Sequence, residues 1–121
     1  MKVLIVDDSS IMRTILEKFL RKYDLDIVGQ AENGMKAIEM FKEHSPDLIT
    51  MDLTMPELDG ITAIKRILES EPKAKIVVVT AQSDEATAIR AMKAGATAFL
   101  GKPFNEEKFD AVLKKVIEKL G

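Results

Sequence analysis

The sequence contains no cysteine, no tryptophan and a single histidine, and these absences exclude several kinds of functional site. Without cysteine the chain has no disulfide framework, no thiolate metal site and no cysteine nucleophile. With His44 alone, a metal site built from several histidines is also excluded. The lack of cysteine fits a reducing compartment, and we expect a cytoplasmic protein.

The sequence also lacks long apolar runs and a strong net charge. No run approaches the roughly 20 residues that a membrane-spanning helix needs. The first apolar run, residues 3–6, meets Asp7 and Asp8 too soon to form the core of a signal peptide. The net charge is −2 and the basic residues are spread along the chain, so we expect no direct binding to nucleic acid or to a membrane.

What remains is the composition of an ordinary globular domain. The 121 residues are 46% hydrophobic and 31% charged, which suffices to bury one core without disulfides or structural metals. The sequence shows no linker, internal repeat or low-complexity segment. We therefore expect residues 1–121 to form a single domain with no attached effector module.

Short apolar runs alternate with helical patterns along the whole chain. The runs predicted as strands are residues 3–6, 26–31, 48–52, 76–80 and 96–100. After each run, apolar residues recur at intervals of three and four, which predicts a helix. This pattern begins with Ile11 in the first helix, which runs to about residue 23, and ends with Leu120 in the last. This alternation predicts an α/β fold, a flavodoxin-like doubly wound (βα)5 parallel sheet of strand order 2-1-3-4-5.

The fourth helix has the weakest apolar face of the five. Ser83 or Asp84 can cap it, and its inward face is predicted to be mostly alanine with Ile89 and Met92. Because such a face buries less apolar area per turn than those of the other helices, we expect this helix to be loosely held.

Polar residues lie at the carboxyl ends of four predicted strands: Asp7 and Asp8, Asp52, Thr80 and Lys102. Parallel strands end at the same edge of a sheet, so these side chains are expected to converge. Three carboxylates close together repel one another and stay ionised only with a cation among them. A hard divalent ion with oxygen ligands, Mg²⁺, is the simplest solution.

Such an edge suits a phosphoryl group. Magnesium keeps several waters and completes its coordination with phosphate oxygens. Lys102 is placed to neutralise one side of that group, and the Thr80 hydroxyl to donate a hydrogen bond to it. With no cysteine, histidine or serine suitably placed, the candidate nucleophile is a carboxylate, which would form an aspartyl phosphate.

Spacing alone does not decide which acid is the nucleophile. Asp52 stands singly at the central strand, whereas Asp7 and Asp8 are adjacent and better placed to share a metal ion. We therefore assign the phosphoryl group to Asp52. The backbone carbonyl of Thr54, in the loop just beyond, is a further candidate metal ligand.

Four motifs resemble the receiver domain of two-component response regulators: Val-Asp-Asp, Met-Asp-Leu-Thr-Met-Pro-Glu-Leu-Asp-Gly, Val-Thr-Ala and Lys-Pro-Phe. The resemblance covers the whole chain, which is similar to the stand-alone chemotaxis regulators of the CheY type. It implies that Asp52 accepts phosphate from a histidine kinase and that Thr80 and Lys102 sense it. It also implies that Asp7, Asp8, Asp52 and the Thr54 carbonyl bind Mg²⁺.

The resemblance implies further roles. Phe99 occupies the position of the family's switch aromatic, which turns inward with Thr80 on phosphorylation. The peptide bond before Pro103 is cis in the family, and Thr54 and Gln82 occupy positions that tune self-dephosphorylation. Gly101 departs from the usual strand pattern, and we expect it to loosen the approach to Lys102.

The function implied is a signalling switch that catalyses only its own phosphorylation and dephosphorylation and turns over no metabolite. Phosphorylation would change partner binding at the face formed by the fourth helix, the fifth strand and the fifth helix. The implied partners are a CheA-like histidine kinase, a flagellar motor switch protein and a phosphatase, in the control of chemotaxis.

Other functions remain open at this level. An isolated Asp-Asp pair is more often a turn and helix cap than a metal site. The metal-site interpretation therefore depends on the predicted convergence of Asp7 and Asp8 with the other polar residues at this edge. An aspartate-nucleophile phosphatase would need a second acid at Thr54. A flavin carrier would need a phosphate loop where Asp7 and Asp8 stand. A receiver from a DNA-binding transcriptional regulator would share every motif above.

Overall fold

The structure, a computed structural model, describes residues 1–120 without the side chain of Leu120. The prediction that Leu120 faces inward therefore lies outside the described residues. Strands and helices alternate along this range: β1 Lys2–Val6, α1 Ser10–Leu20, β2 Asp26–Ala31, α2 Gly34–His44, β3 Leu48–Met51, α3 Gly60–Ser70, β4 Lys75–Thr80, α4 Glu85–Ala94, β5 Ala98–Gly101 and α5 Glu106–Leu120. Among these described helices, none is long and apolar enough to cross a membrane.

The strands form one sheet in the order β2-β1-β3-β4-β5, and every neighbouring pair is parallel. This confirms the predicted flavodoxin-like fold. The direction of winding changes between β1 and β3, so α1 and α5 lie on one face of the sheet while α2, α3 and α4 lie on the other. The carboxyl ends of all the strands consequently meet at one edge.

Each face of the sheet has its own hydrophobic core, because alternate strand residues point to opposite faces. Leu4 of β1 packs in the core beneath α2, α3 and α4, together with Ile64 of α3. Its neighbour Ile5 packs in the core beneath α1 and α5, together with Leu16 and Leu113. The central strands are buried on both faces, which explains why they read as continuous apolar runs.

Several element boundaries differ from the prediction. Helix α1 ends at Leu20, and the chain then turns, with the Tyr23 amide donating to the Leu20 carbonyl at 3.1 Å. Strand β3 ends one residue before Asp52. Strand β5 begins at Ala98 instead of residue 96, because the Ala96 amide is used in closing α4, donating to a helix carbonyl at 3.1 Å.

The prediction that the inward face of α4 uses alanine is confirmed by buried Ala91, whereas the inward placement of Ile89 and Met92 was wrong. Ile89 and Met92 are both 46% exposed, and the buried positions are Thr87 and Ala91. The helix turns its small side chains toward α3 and β5, which allows close packing and leaves the larger apolar side chains on the surface. Ile11, predicted as part of the apolar pattern of α1, is likewise 73% exposed.

Glycines allow loops to approach the carboxyl edge of the sheet closely. A Cβ atom at Gly60, the first residue of α3, would lie 2.3 Å from the carbonyl oxygen of Asp52. One at Gly101 would lie 2.7 Å from the Cβ of Ser83. Gly101 thus makes room for the loop between β4 and α4, and its loosening of the approach to Lys102 stays a prediction.

One buried polar group stands out. The hydroxyl of Thr50, in β3, is buried and has no hydrogen-bond partner among residues 1–120. Thr50 lies beside Ile5 and Val77, which belong to the core beneath α1 and α5. A desolvated hydroxyl without a partner lowers the stability of the folded state.

Replacing Thr50 with valine should raise the free energy of unfolding by about 1 kcal/mol, because it removes the unpaired hydroxyl and keeps the branched shape. Urea unfolding followed by circular dichroism measures the change. Thr50→Ser is the control: it retains the hydroxyl and loses the methyl group, so it should be less stable than the parent chain. A Thr50→Val protein less stable than the parent would contradict the prediction.

Gly60→Ala should lower the free energy of unfolding by about 1–3 kcal/mol, since the new methyl group meets backbone that must shift. Gly29→Ala is the matched control, because the atom it would meet is the mobile end of the Met40 side chain, at 3.1 Å. Urea unfolding of both proteins gives the comparison. Equal losses in the two would show that the close approach at Gly60 has no special cost.

Candidate functional site

Asp7 follows β1 directly and is held on several sides. Its amide donates to the Ala31 carbonyl at 3.0 Å, and its side chain is completely buried. Its Oδ1 accepts a hydrogen bond of 2.9 Å from the Ser9 amide. Ser9 in turn caps α1, its Oγ accepting from the Met12 amide at 3.2 Å. The start of α1 therefore fixes the direction of the Asp7 carboxylate.

Lys102 follows the edge strand β5, and its side chain reaches the Asp7 carboxylate across the carboxyl ends of the strands. Its amide donates to the Thr80 carbonyl at 2.8 Å, which extends the pairing of β4 and β5 by one residue. Its Nζ lies 2.8 Å from Asp7 Oδ2 and 3.7 Å from Asp52 Oδ2. The peptide bond between Lys102 and Pro103 is cis. The ammonium group thus lies between two carboxylates and is hydrogen-bonded to Asp7 alone.

Asp52 lies just beyond β3, with only 5% of its surface exposed. Its amide donates to the Val6 carbonyl at 3.0 Å, and its Oδ1 accepts a long hydrogen bond of 3.4 Å from the Thr54 amide. Burial and the negative charge of Asp7 raise the pKa of the Asp52 carboxyl group. Lys102 and the Thr54 amide oppose this rise without cancelling it.

A third carboxylate completes the cluster. Oxygen atoms of Asp7, Asp8 and Asp52 lie within 4.8 Å of one another, and Asp8 is on the exposed side. Lys102 brings one positive charge against three negative ones. Oxygen donors at this spacing, open to water on one side, fit a hard divalent cation that retains water ligands. The donor set therefore suits Mg²⁺ better than a soft transition metal.

Thr80 is fully buried at the end of β4, next to Gly101 of β5. Its Oγ1 accepts a hydrogen bond of 3.2 Å from the Gln82 amide. Because the hydroxyl is used here as an acceptor, its proton is available to a further oxygen atom.

The remaining predicted residues lie around this cluster and not within it. Thr54 and Gln82 are exposed and line one cavity of about 250 Å³ between the loop after β3 and helix α4. Phe99 is half-buried in β5, where it pairs with Val78 and packs against the core beneath α2, α3 and α4. The structure thus gathers Asp7, Asp8, Asp52 and Lys102 most tightly.

A larger cavity, of about 490 Å³, lies far from this cluster. It is at the amino ends of β3 and β4, beside Phe41 and Pro46. Two acids on its wall are already engaged: Asp47 accepts from the Lys2 amide at 2.8 Å, and Glu71 accepts from the Lys73 amide at 3.1 Å. Size alone therefore does not make this cavity the site of chemistry.

The sequence did not point to Arg13. Its Nη1 donates a hydrogen bond of 2.7 Å to the Asp7 carbonyl oxygen. The only sequence signal is a basic residue within the apolar pattern of α1, early in the helix. Such a signal is equally typical of a solvated helix face.

Comparison with known proteins agrees with this geometry. The family model described as the response regulator receiver domain matches residues 3–114. The chemotaxis protein CheY of Thermotoga maritima is 46% identical over 115 residues, 95% of this chain and 96% of that protein. The chemotaxis protein CheY of Bacillus subtilis is 43% identical over 116 residues, 96% of this chain and 97% of that protein.

A solved structure is similar in fold as well. The CheX-CheY-BeF3-Mg²⁺ complex from Borrelia burgdorferi contains a chain that is 30% identical, with a TM-score of 0.90, and the match covers 99% of this chain and 89% of that one. Receiver domains bind Mg²⁺ at an acidic pocket, and Asp7, Asp8 and Asp52 form an acidic cluster here. The chain therefore belongs to the response regulator receiver domain family.

Proposed function

We propose that this protein is a phosphorylation-dependent signalling switch whose phosphoacceptor is Asp52. The observation that carries the proposal is that a nearly buried carboxylate lies beside an ammonium group and two further carboxylates at one edge of the sheet. The phosphodonor is the phosphohistidine of a CheA-like histidine kinase. Residues 1–121 act as one receiver domain, and because such kinases draw on ATP we place the switch in the cytoplasm.

In the transfer, a carboxylate oxygen of Asp52 forms a new bond to phosphorus. The bond between phosphorus and the histidine nitrogen breaks, and the imidazole keeps its electron pair. Only ionised Asp52 can attack, so its raised pKa reduces reactivity when the surroundings offer no compensating positive charge. Lys102, with its Nζ 3.7 Å from Asp52 Oδ2, is close enough to stabilise negative charge on the transferred group.

Asp7, Asp8 and Asp52, with the backbone carbonyl of Thr54, are the residues we propose to hold Mg²⁺. When bound, the cation would neutralise the three carboxylates and the oxygens of the phosphoryl group. Asp7 is held by hydrogen bonds from the Ser9 amide and the Lys102 ammonium group before any ligand arrives. This pre-organisation lowers the cost of assembling the site.

The response to phosphorylation would pass through Thr80 and Phe99. The Thr80 hydroxyl can turn its proton toward a phosphoryl oxygen, and Phe99, half-buried in β5, would turn inward with it. The output surface we propose is the face of α4, β5 and α5, where Ile89 and Met92 are exposed. Residues three apart on a helix are neighbours on its surface, and contiguous exposed apolar side chains mark protein interaction sites.

The likeness to chemotaxis proteins over nearly their full length supports a role in chemotaxis. We propose a flagellar motor switch protein as the target and a phosphatase as a further partner. The only reaction that this chain would catalyse is its own phosphorylation and dephosphorylation. Thr54 and Gln82 line the cavity beside Asp52, where they would tune the approach of the hydrolytic water.

With Mg²⁺ and acetyl phosphate, the protein should gain one phosphoryl group that is released by hydroxylamine, as expected for an acyl phosphate. Asp52→Asn should take up none, because an amide is not a nucleophile here. Intact-protein mass spectrometry measures both. Asp26→Asn, which changes an exposed acid at the opposite edge of the sheet, is the control and should be labelled normally. Labelling of Asp52→Asn at the parent level would disprove the assignment.

In the metal-free protein, Asp52 should titrate above the ordinary range of aspartate, because burial and Asp7 disfavour its charged form. Asp84 should titrate below that range, because the Thr87 hydroxyl and amide stabilise its charged form. The ¹³C chemical shifts of the side-chain carboxyl groups, followed against pH, report both. Removing the positive charge with Lys102→Met should move the Asp52 midpoint still higher. A midpoint for Asp52 below that of Asp84 would contradict this account.

A further inference from the structure

We propose that Arg13 is a positioning residue for the metal site and that its side chain holds the peptide unit that joins Asp7 to Asp8. The inference rests on the proposed function, in that Mg²⁺ binding is part of it. Arg13 itself would not touch the ion. It would act through the backbone from which the Asp8 carboxylate projects.

The geometry of Arg13 is specific. Its amide belongs to α1 and donates to the Ser9 carbonyl at 3.0 Å. Its side chain turns back over the start of the helix, and Nη1 donates to the Asp7 carbonyl oxygen at 2.7 Å. A charged donor to a partly buried carbonyl is among the stronger hydrogen bonds in proteins.

This bond matters most for Asp8. Asp7 is already anchored through its amide by Ala31 and through its carboxylate by Ser9 and Lys102. Within residues 1–120, by contrast, no hydrogen bond or ion pair holds the exposed Asp8 carboxylate. Its direction therefore depends on the backbone alone.

The Asp7 carbonyl and the Asp8 amide are parts of one planar peptide unit. A hydrogen bond that fixes the carbonyl fixes that plane, and with it the starting direction of the Asp8 side chain. If the plane were free to rotate, the Asp8 carboxylate would spend less time near the oxygens of Asp7 and Asp52. The Mg²⁺ site would then have to be assembled on binding, at a cost in affinity.

The charge of Arg13 acts in the opposite direction. A guanidinium group near a cation site weakens cation binding by electrostatic repulsion. Part of that charge faces Glu32, since both residues line one polar cavity of about 200 Å³. Removing Arg13 would therefore tighten Mg²⁺ binding if only its charge mattered, and would weaken binding if its hydrogen bond matters more.

The test measures the dissociation constant for Mg²⁺ by competition with Mn²⁺, followed by electron paramagnetic resonance, on the whole chain without a phosphodonor. Arg13→Met, which has neither charge nor donor, should bind Mg²⁺ about 10-fold or more weakly, the usual effect of losing a residue that orients a metal ligand. Arg13→Lys, which keeps a cationic donor, should recover part of the affinity. Urea unfolding of each variant establishes that it is folded under the conditions used.

Arg21→Met is the matched control. Arg21 is an exposed arginine at the other end of α1 and pairs with Glu17 at 2.8 Å. This variant should bind Mg²⁺ as the parent does. Unchanged or tighter binding in Arg13→Met would overturn the proposal, as would an Arg13→Lys protein that binds no better than Arg13→Met.

Failure of the proposed function gives a different pattern. In that case the parent chain itself shows no Mg²⁺ binding, or Asp8→Asn binds as tightly as the parent. A third result separates the two proposals: the parent chain binds Mg²⁺, Asp8→Asn loses affinity and Arg13→Met does not. That result would agree with the signalling switch and would show that Arg13 does not position the metal site.

Discussion

Repulsion between the buried carboxylates of Asp7 and Asp52 is the constraint on which the carboxyl edge of this sheet depends. Lys102 supplies one positive charge between them, hydrogen-bonded to Asp7 and 3.7 Å from Asp52. The compensation is incomplete, and burial together with the charge of Asp7 raises the pKa of the Asp52 carboxyl group. A site with this uncompensated negative charge favours a divalent cation, and in the function proposed above it accepts a phosphoryl group once the cation is bound.

Two apolar cores and close contacts at two glycines support this charged cluster. Strands β1 and β3, which lead to Asp7 and Asp52, are buried on both faces, so both cores support the ends that carry these carboxylates. Gly60 and Gly101 let the loops beyond β3 and β4 pack against these ends. Helix α4 differs from the rest, since it packs through Ala91 and leaves Ile89 exposed. In the function proposed above, a helix held by small side chains would shift at low cost when Asp52 is phosphorylated.

Much of this was decided by the order of residues along the chain. Runs of apolar residues long enough for a buried strand, separated by helical patterns, allow few arrangements other than a parallel sheet with helices on both faces. In such a sheet the residues that follow each strand must share an edge. The convergence of Asp7, Asp52 and Lys102 was therefore predictable, because it depends on chain direction and on no detail of packing.

Other features were decided only by contacts between residues far apart in sequence. Nothing local shows that Lys102 is hydrogen-bonded to Asp7 and not to Asp52, since the choice depends on where β5, which pairs with β4 alone in the described sheet, places the Lys102 side chain relative to the ends of β1 and β3. Three further features depend on tertiary contacts in the same way: the exposure of Met92, the hydrogen bond from Arg13 to the Asp7 carbonyl and the space that Gly60 leaves free. Periodicity determines which residues can share a face, whereas the packing of neighbouring elements determines which side chain fills the space.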